Sequence, residues 1–267
     1  MLLTVNNLSV ALKKSSRPIV QNLDLSIEQG NSLVILGQSG SGKTLTCKTI
    51  TGILNRRRFE PSGEIIFNGK ELLSMPPRKQ REIYGAQIAL IPQNPMTALD
   101  PSVRVGKQMA ETLYLHTGLR GKKVKSKLLT ALENAGLDRA EEVMQSYPHM
   151  LSGGMLQRVL IAMALMVDAK LIVADEPTTA LDAEHRNAAV DAFISLREKG
   201  AAILLVTHDF GVASRLGGEL LVMKDGKAIE RGSVFEVLQA PGHDYTRALI
   251  EASRLYSLVP ERRSLIC

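Results

Sequence analysis

The chain has 267 residues, 45% of them hydrophobic, and a formal net charge of +6, which suits one large domain or a core with an inserted subdomain. No run of about 18 apolar residues occurs and the N-terminus lacks the basic-then-apolar layout of a secretory leader, so the composition argues against a membrane span and for a cytosolic location. Two cysteines, Cys47 and Cys267, argue equally against a disulfide framework and a cysteine-built metal site.

The elements begin with short strand-like runs, Leu2 to Val5, Leu23 to Ile27 and Ser32 to Leu36. The last of these leads into Gly37-Gln38-Ser39-Gly40-Ser41-Gly42-Lys43-Thr44 and then a helix from Lys43 onward. Strand, glycine-rich loop and helix in that order make a phosphate-binding loop: the glycines let backbone N–H groups converge on an anion, and the helix N-terminus adds partial positive charge. Lys43 would reach the β- and γ-phosphates of a nucleoside triphosphate and Thr44 would ligate Mg²⁺. Arg56-Arg57-Arg58, like Arg120 to Lys125 further on, is a basic stretch without the interleaved aromatics that stack bases, so both read as solvated surface, with phosphate or lipid-headgroup contact as the alternative. Glu64 to Phe67, closed by Asn68-Gly69, completes a small β-rich layer.

Gln93, in Ile91-Pro92-Gln93-Asn94-Pro95, stands where the strands give way to helices; an amide there can ligate Mg²⁺ or orient water, and it can move with the helical subdomain. From about Pro95 to Val167 helical periodicity dominates, as in Val105 to Leu115 and Lys125 to Ala135, which predicts that this subdomain is an insertion. Within it Ser152-Gly153-Gly154 opens a long helix with Leu156, Val159, Leu160, Met163 and Val167 on one face. Ser152 reads as the N-cap, and the two glycines leave a second anion-seeking helix end.

Strand patterns then return. Leu171 to Ala174 ends in Asp175 and Glu176, and Ala202 to Thr207 ends in His208; both are continuous apolar runs of the kind buried on two faces of a parallel sheet, and both deliver polar groups to its carboxyl edge. Asp175 is positioned to hold Mg²⁺ through its water shell, Glu176 to polarise a water attacking the γ-phosphate, and His208 to sense or stabilise that phosphate. Leu220 to Met223 and Lys227 to Glu230 flank Asp225-Gly226, a hairpin signal, and the charged end after Pro260 reads as frayed. Because one chain carries two phosphate-seeking helix ends on different subdomains, each ATP is expected between two chains, the loop of one facing Ser152 of the other.

These residues, in this order, resemble the ATP-binding subunit of an ABC transporter along nearly the whole chain. The resemblance implies a phosphate loop at Gly37 to Thr44, a Q-loop Gln93, a signature Leu151 to Met155, a Walker B pair Asp175 and Glu176, a D-loop Ala180-Leu181-Asp182 and a switch His208. It implies an α/β fold: a P-loop NTPase (RecA-like) core with an N-terminal antiparallel β layer and an inserted α-helical subdomain. The expected divisions are residues 1–92 and 168–240 for the two parts of the core, 93–167 for the helical subdomain and 241–267 for a C-terminal tail.

Pro95 to Pro101, Met155-Leu156-Gln157-Arg158 and Pro241-Gly242-His243-Asp244-Tyr245-Thr246-Arg247-Ala248-Leu249 are similar to the peptide/nickel importer branch, and Leu45-Thr46-Cys47 with the signature most resembles nickel-import ATPases. Such systems pair two different ATPase subunits with two membrane permeases and an external solute-binding protein, with the ATPases on the cytoplasmic face of the inner membrane. ATP and Mg²⁺ are the implied cofactors, and no nucleic acid is expected. The solute touches the other components, so nickel, a metal chelate and a di- or oligopeptide all stay open, although the stop at Cys267, without the cysteine-rich extension of peptide-importing relatives, favours the metal branch. Where many relatives carry an adenine-stacking aromatic, Leu8 to Leu12 has none, which leaves apolar packing for the base. The rival from another class is a non-transport ABC ATPase acting on nucleic acid or ribosomes, which generally shows twin cassettes, coiled coils or zinc insertions; a module that binds ATP without hydrolysing it fits poorly with Glu176 and His208.

Overall fold

A computed structural model describes residues 1–258 apart from Ser16 and Ala180, with side chains to residue 253; the end beyond Pro260, with Cys267, lies outside the described residues. In chain order the elements are β1 (Leu3–Leu12), β2 (Pro18–Ile27), β3 (Ser32–Leu36), α1 (Lys43–Ile50), β4 (Phe59–Phe67), β5 (Lys70–Glu71), α2 (Pro77–Gln80) and β6 (Ile88–Ile91). Then come α3 (Val105–Thr117), α4 (Lys122–Asn134), α5 (Ala140–Gln145), α6 (Gly153–Met166), β7 (Leu171–Asp175), α7 (Ala183–Glu198), β8 (Ala202–Val206) and α8 (Phe210–Leu216). The chain continues through β9 (Glu219–Lys224), β10 (Lys227–Ser233), α9 (Val234–Gln239) and α10 (Asp244–Leu258).

Two sheets result. β2, β1, β4 and β5 form an antiparallel layer, and β10-β9-β3-β8-β7-β6 form the central sheet, parallel throughout except for the β9–β10 hairpin. Every residue of β3, β7 and β8 is buried, because alternate side chains enter different cores. Leu33 and Ile35 of β3 pack with the antiparallel layer and with Cys47 and Ile50 of α1. Val34 and Leu36 pack on the other side with Leu156 and Val159 of α6 and with α7 and α8. The helix after the phosphate loop and the helix after Ser152-Gly153-Gly154 therefore cover opposite faces of one sheet.

The α/β architecture expected from the sequence is the one observed. β1 runs on to Leu12 and β4 starts at Phe59, beyond the expected spans, and their pairing shifts register between Asn6 and Ser9; this irregularity breaks the alternation that would have marked the full strands. β6 carries no strand signal of its own, since Ile88–Ile91 is four residues long and takes its strand character from pairing with β7. The tail after Pro241 carries a helix, α10. No described helix is long and apolar enough to cross a membrane.

Candidate functional site

β3 ends at Leu36, and the chain turns at once because Gly37 passes against β9: a Cβ there would collide with the Met223 carbonyl oxygen. Gly40 and Gly42 adopt φ of +84° and +102°, values that suit glycine. Gly42 is the N-cap of α1 and offers no side chain to its first turn, so those N–H groups are left for an anion. Lys43 folds back over the loop, its Nζ donating to the Gly37 carbonyl at 2.7 Å and the Gln38 carbonyl at 2.9 Å. Burial pulls the lysine pKa down, against the opposing charges of Glu176 and Asp175. Ser41 Oγ is buried without a hydrogen-bond partner, an orphaned polar atom at the base of the loop.

Thr44 Oγ1, on the first turn of α1, donates to Asp175 Oδ1 at 3.1 Å. Asp175 closes β7 and is 4% exposed; burial raises its pKa, countered chiefly by the Thr44 hydrogen bond. Next to it the backbone turns sharply. Glu176 has φ +49°, in the left-handed region uncommon for a residue with a side chain, and its N–H donates to the Val206 carbonyl of β8 at 2.9 Å. The turn points the carboxylate into a group of polar partners. Gln93 Nε2 donates to Glu176 Oε2 at 3.1 Å, Thr179 Oγ1 donates to the same oxygen at 3.3 Å, and His208 Nδ1 lies 3.4 Å from it.

A cleft of about 590 Å³ opens over this array. Ser39, Gly40, Lys43, Thr44, Gln93 and Glu176 line one part of it, and Ile19 of β2 with Phe59 of β4 line another. Its donors are backbone N–H groups, the Lys43 and Lys48 ammonium groups and the Arg58 guanidinium, and its acceptors are hard oxygens, those of Thr44 and Glu176, with Asp175 hydrogen-bonded to Thr44. That set fits a polyphosphate with Mg²⁺. No cluster of three or more His, Cys, Asp or Glu suited to a transition metal occurs among the described residues.

The Gly37 to Thr44 loop, Gln93, Asp175, Glu176 and His208 are thus gathered in one place from distant parts of the chain. Ser152, Gly153, Gly154 and Asp182 are not among the residues lining the cleft. Ser152 caps α6, accepting from the Met155 N–H at 3.2 Å, and is exposed. Asp182 caps α7 through the His185 N–H at 2.9 Å, and its carboxylate also meets His185 Nδ1 at 2.6 Å; these two hydrogen bonds hold its pKa low. Ala180, the first D-loop residue, lies outside the described residues.

The apolar wall of the cleft is not the one expected. Leu8 and Val10 point into the core, and the stretch Leu8 to Leu12 does not line the cleft. Ile19 and Phe59 stand there instead, and Arg58 lies over the Phe59 ring, 5.4 Å from its centroid. Thr179, three residues beyond Glu176, is a further site residue that the sequence motifs do not mark; a hydroxyl that close to a turn carboxylate is the one local signal that could find it.

Residues 20–179 match the ABC transporter family. The chain belongs to that family. This ABC ATPase is 39% identical over 254 residues to the metal-staphylopine import system ATP-binding protein CntD of Staphylococcus aureus, covering 95% of this chain and 93% of that one. It is 38% identical to the dipeptide transport ATP-binding protein DppD of Lactococcus lactis, with 87% and 67% covered. Among solved structures, the dimeric ATP-binding cassette MJ0796 in a post-hydrolysis state, bound to ADP and Pi, superposes with a TM-score of 0.79 at 26% identity, over 87% of this chain and 98% of that one. As an ABC ATPase of this kind, the chain is an ATP-binding subunit of an importer, where ATP hydrolysis is coupled to uptake.

Proposed function

We propose that the cleft is the ATP site and that each cited side chain has a distinct task in hydrolysis. The reading is carried by one observation: Gln93, Thr179 and His208 all converge on Glu176 Oε2, within 3.4 Å of it. The loop N–H groups from Ser39 to Thr44 bind phosphate oxygens. Lys43 exchanges its two loop carbonyls for β- and γ-phosphate oxygens. Thr44, Asp175 and Gln93 would hold Mg²⁺, which when bound neutralises phosphate charge. Glu176 accepts a proton from the water whose oxygen attacks the γ-phosphorus; the bond to the β-phosphate bridging oxygen breaks, and ADP and phosphate leave. His208 and Gln93 keep that carboxylate and water in line.

Ser152, Gly153 and Gly154 act on ATP held by a second chain, and Asp182 stands at the same junction. Support comes from the placement of α1 and α6 on opposite faces of the sheet and from the cleft that omits the signature. The dimeric state of the MJ0796 cassette supports it too. The chain divides at residues 1–92, 93–167, 168–240 and 241–267 into core, helical subdomain, core and tail.

The partner is a second, homologous ATPase, and the pair sits beneath two permeases on the cytoplasmic face of the inner membrane, fed by a solute-binding protein. The cargo is nickel or a metal chelate, supported by the similarity to CntD, whose own cargo system is named for metal-staphylopine. Peptide import is the second reading, favoured by the oligopeptide transport protein AppD of Bacillus subtilis at 38% identity. In the assembled complex Glu176→Gln should keep MgATP binding and lose nearly all turnover; undiminished hydrolysis rejects the site. A deletion strain that loses uptake of nickel or chelated metal while keeping peptide uptake supports the metal reading, and the reverse result selects the peptide one.

A further inference from the structure

The segment Pro241 to Leu249, which the hydrolysis chemistry leaves without a task, ends on the phosphate loop. Glu230 of β10 fixes its start, accepting from the Gly242 N–H at 2.6 Å and the His243 N–H at 3.3 Å. The first turns of α10 are then driven inward: Thr246 is fully buried and Ile250 is 7% exposed. This docking brings the Tyr245 hydroxyl against the loop, where it accepts from the Gln38 N–H at 3.2 Å. Lys224, at the end of β9, sits over the tyrosine ring with Nζ 4.9 Å from the centroid.

The Gln38 N–H and the Gly37 carbonyl belong to one peptide group. That group is held at both ends, its oxygen by Lys43 Nζ at 2.7 Å and its N–H by Tyr245. It follows Gly37, which has no Cβ to restrict its dihedral angles, so those two hydrogen bonds help to set its orientation. Once phosphate takes Lys43, Tyr245 is the hold that remains. We infer that Tyr245 is a positioning residue for nucleotide binding: through the Gln38 peptide it couples docking of the C-terminal helix to the shape of the phosphate loop. The coupling is reciprocal, so nucleotide in the cleft tightens the tail as much as the tail tightens the nucleotide. A segment outside the motor's catalytic motifs thus sets the affinity of the loop.

The inference rests on the cleft being the ATP site, and its test separates the two ideas. MgATP is titrated by equilibrium binding into the full-length chain, Lys43→Ala, Tyr245→Phe, Glu230→Ala and the Tyr245→Phe/Glu230→Ala double variant. Tyr245→Phe keeps the ring and its contact with Lys224 and removes the hydroxyl, and the loss of one hydrogen bond should weaken MgATP by about three- to tenfold. Its nucleotide-free melting temperature should fall only by what one exposed hydrogen bond contributes, because Lys43 still holds the other end of that peptide group. Amide exchange at Gln38 should speed up more with MgATP present than without it in this variant, whereas a purely structural tyrosine would give the same increase in both states. Glu230→Ala should weaken MgATP on its own and add nothing in the Tyr245→Phe background. If wild type binds MgATP, Lys43→Ala binds it at least about tenfold more weakly, and Tyr245→Phe matches wild type in affinity, the tail proposal is overturned while the ATP site stands. If wild type and Lys43→Ala bind alike, the reading of the cleft fails first.

Discussion

Thr44 and Asp175, 131 positions apart in the chain, meet through a 3.1 Å hydrogen bond from Oγ1 to Oδ1. It ties the start of α1 to the end of β7 and sets two side-chain oxygens side by side. The arrangement has a cost, since Asp175 is nearly inaccessible and burial raises its pKa.

A folded-state pKa above the unfolded one means that the native protein holds its proton longer, so stability from this group is present in acid and is lost as pH rises through the folded value. At neutral pH the charged Asp175 therefore weakens the nucleotide-free fold. Asp175→Asn keeps an acceptor for Thr44 and removes the charge. It should melt higher near neutral pH, by the equivalent of about 1 kcal/mol, with the advantage shrinking at mildly acidic pH, while Mg²⁺-dependent hydrolysis is lost. Thermal melts at the two pH values decide it, and a variant that melts lower at neutral pH contradicts the account.

Lys43→Ala removes the ammonium that bonds Gly37 and Gln38. A charge-assisted contact to phosphate is worth more than a neutral one, so MgATP affinity should fall by about tenfold or more. Equilibrium binding measures it, and the phenotype differs from that of Glu176→Gln, which should bind and stall.

Gly153 can be replaced without steric conflict, because a Cβ there meets nothing within 4 Å. Gly153→Asp puts a carboxylate in the first turn of α6, which favours the helix dipole but repels a phosphate. The fold should be as stable as wild type and the chain's own loop should bind MgATP normally. Turnover in the assembled complex should drop by about 100-fold, the scale of losing a preorganised electrostatic contact. Mixing this variant with a partner defective in its own phosphate loop should restore no activity at the junction they share.

Tyr84 lies over Gly52, where its ring occupies the space a Cβ would need, and burial pushes its phenol up to about 12 from an ordinary value of about 10. The native state keeps this proton longer than the unfolded chain, so stability should be unaffected below about pH 10 and decline from there toward about pH 12. Tyr84→Phe has no proton to lose and should flatten that part of the profile. Denaturant unfolding as a function of pH provides the check; parallel curves for the two proteins would rule the mechanism out.

The local parts of the site were legible because their chemistry is written in consecutive residues. The loop needs Gly37, Gly40 and Gly42 at fixed spacing, and β3 and β8 announce themselves by runs buried on both faces. The rest depended on packing between distant segments. β6 is a strand because β7 lies beside it. Phe59 reaches the cleft because the layer β2-β1-β4-β5 folds over α1. Tyr245 meets Gln38 across 207 positions, a contact carried by the way Glu230 and Thr246 seat the tail and by no pattern along the chain.

Glu176 holds its left-handed backbone against the preference of any residue with a Cβ, at a cost of order 1–2 kcal/mol. Glycine would relax that turn, so the substitution that most simply steadies the β7 edge is also one that removes the carboxylate on which Gln93, Thr179 and His208 converge. With Glu176 in its proposed role as the base, selection for robustness alone would push this position toward inertness. A laboratory lineage evolved for heat tolerance without demand for uptake should accumulate Glu176→Gly, and its persistence as glutamate under cargo limitation would measure how strongly growth depends on the motor.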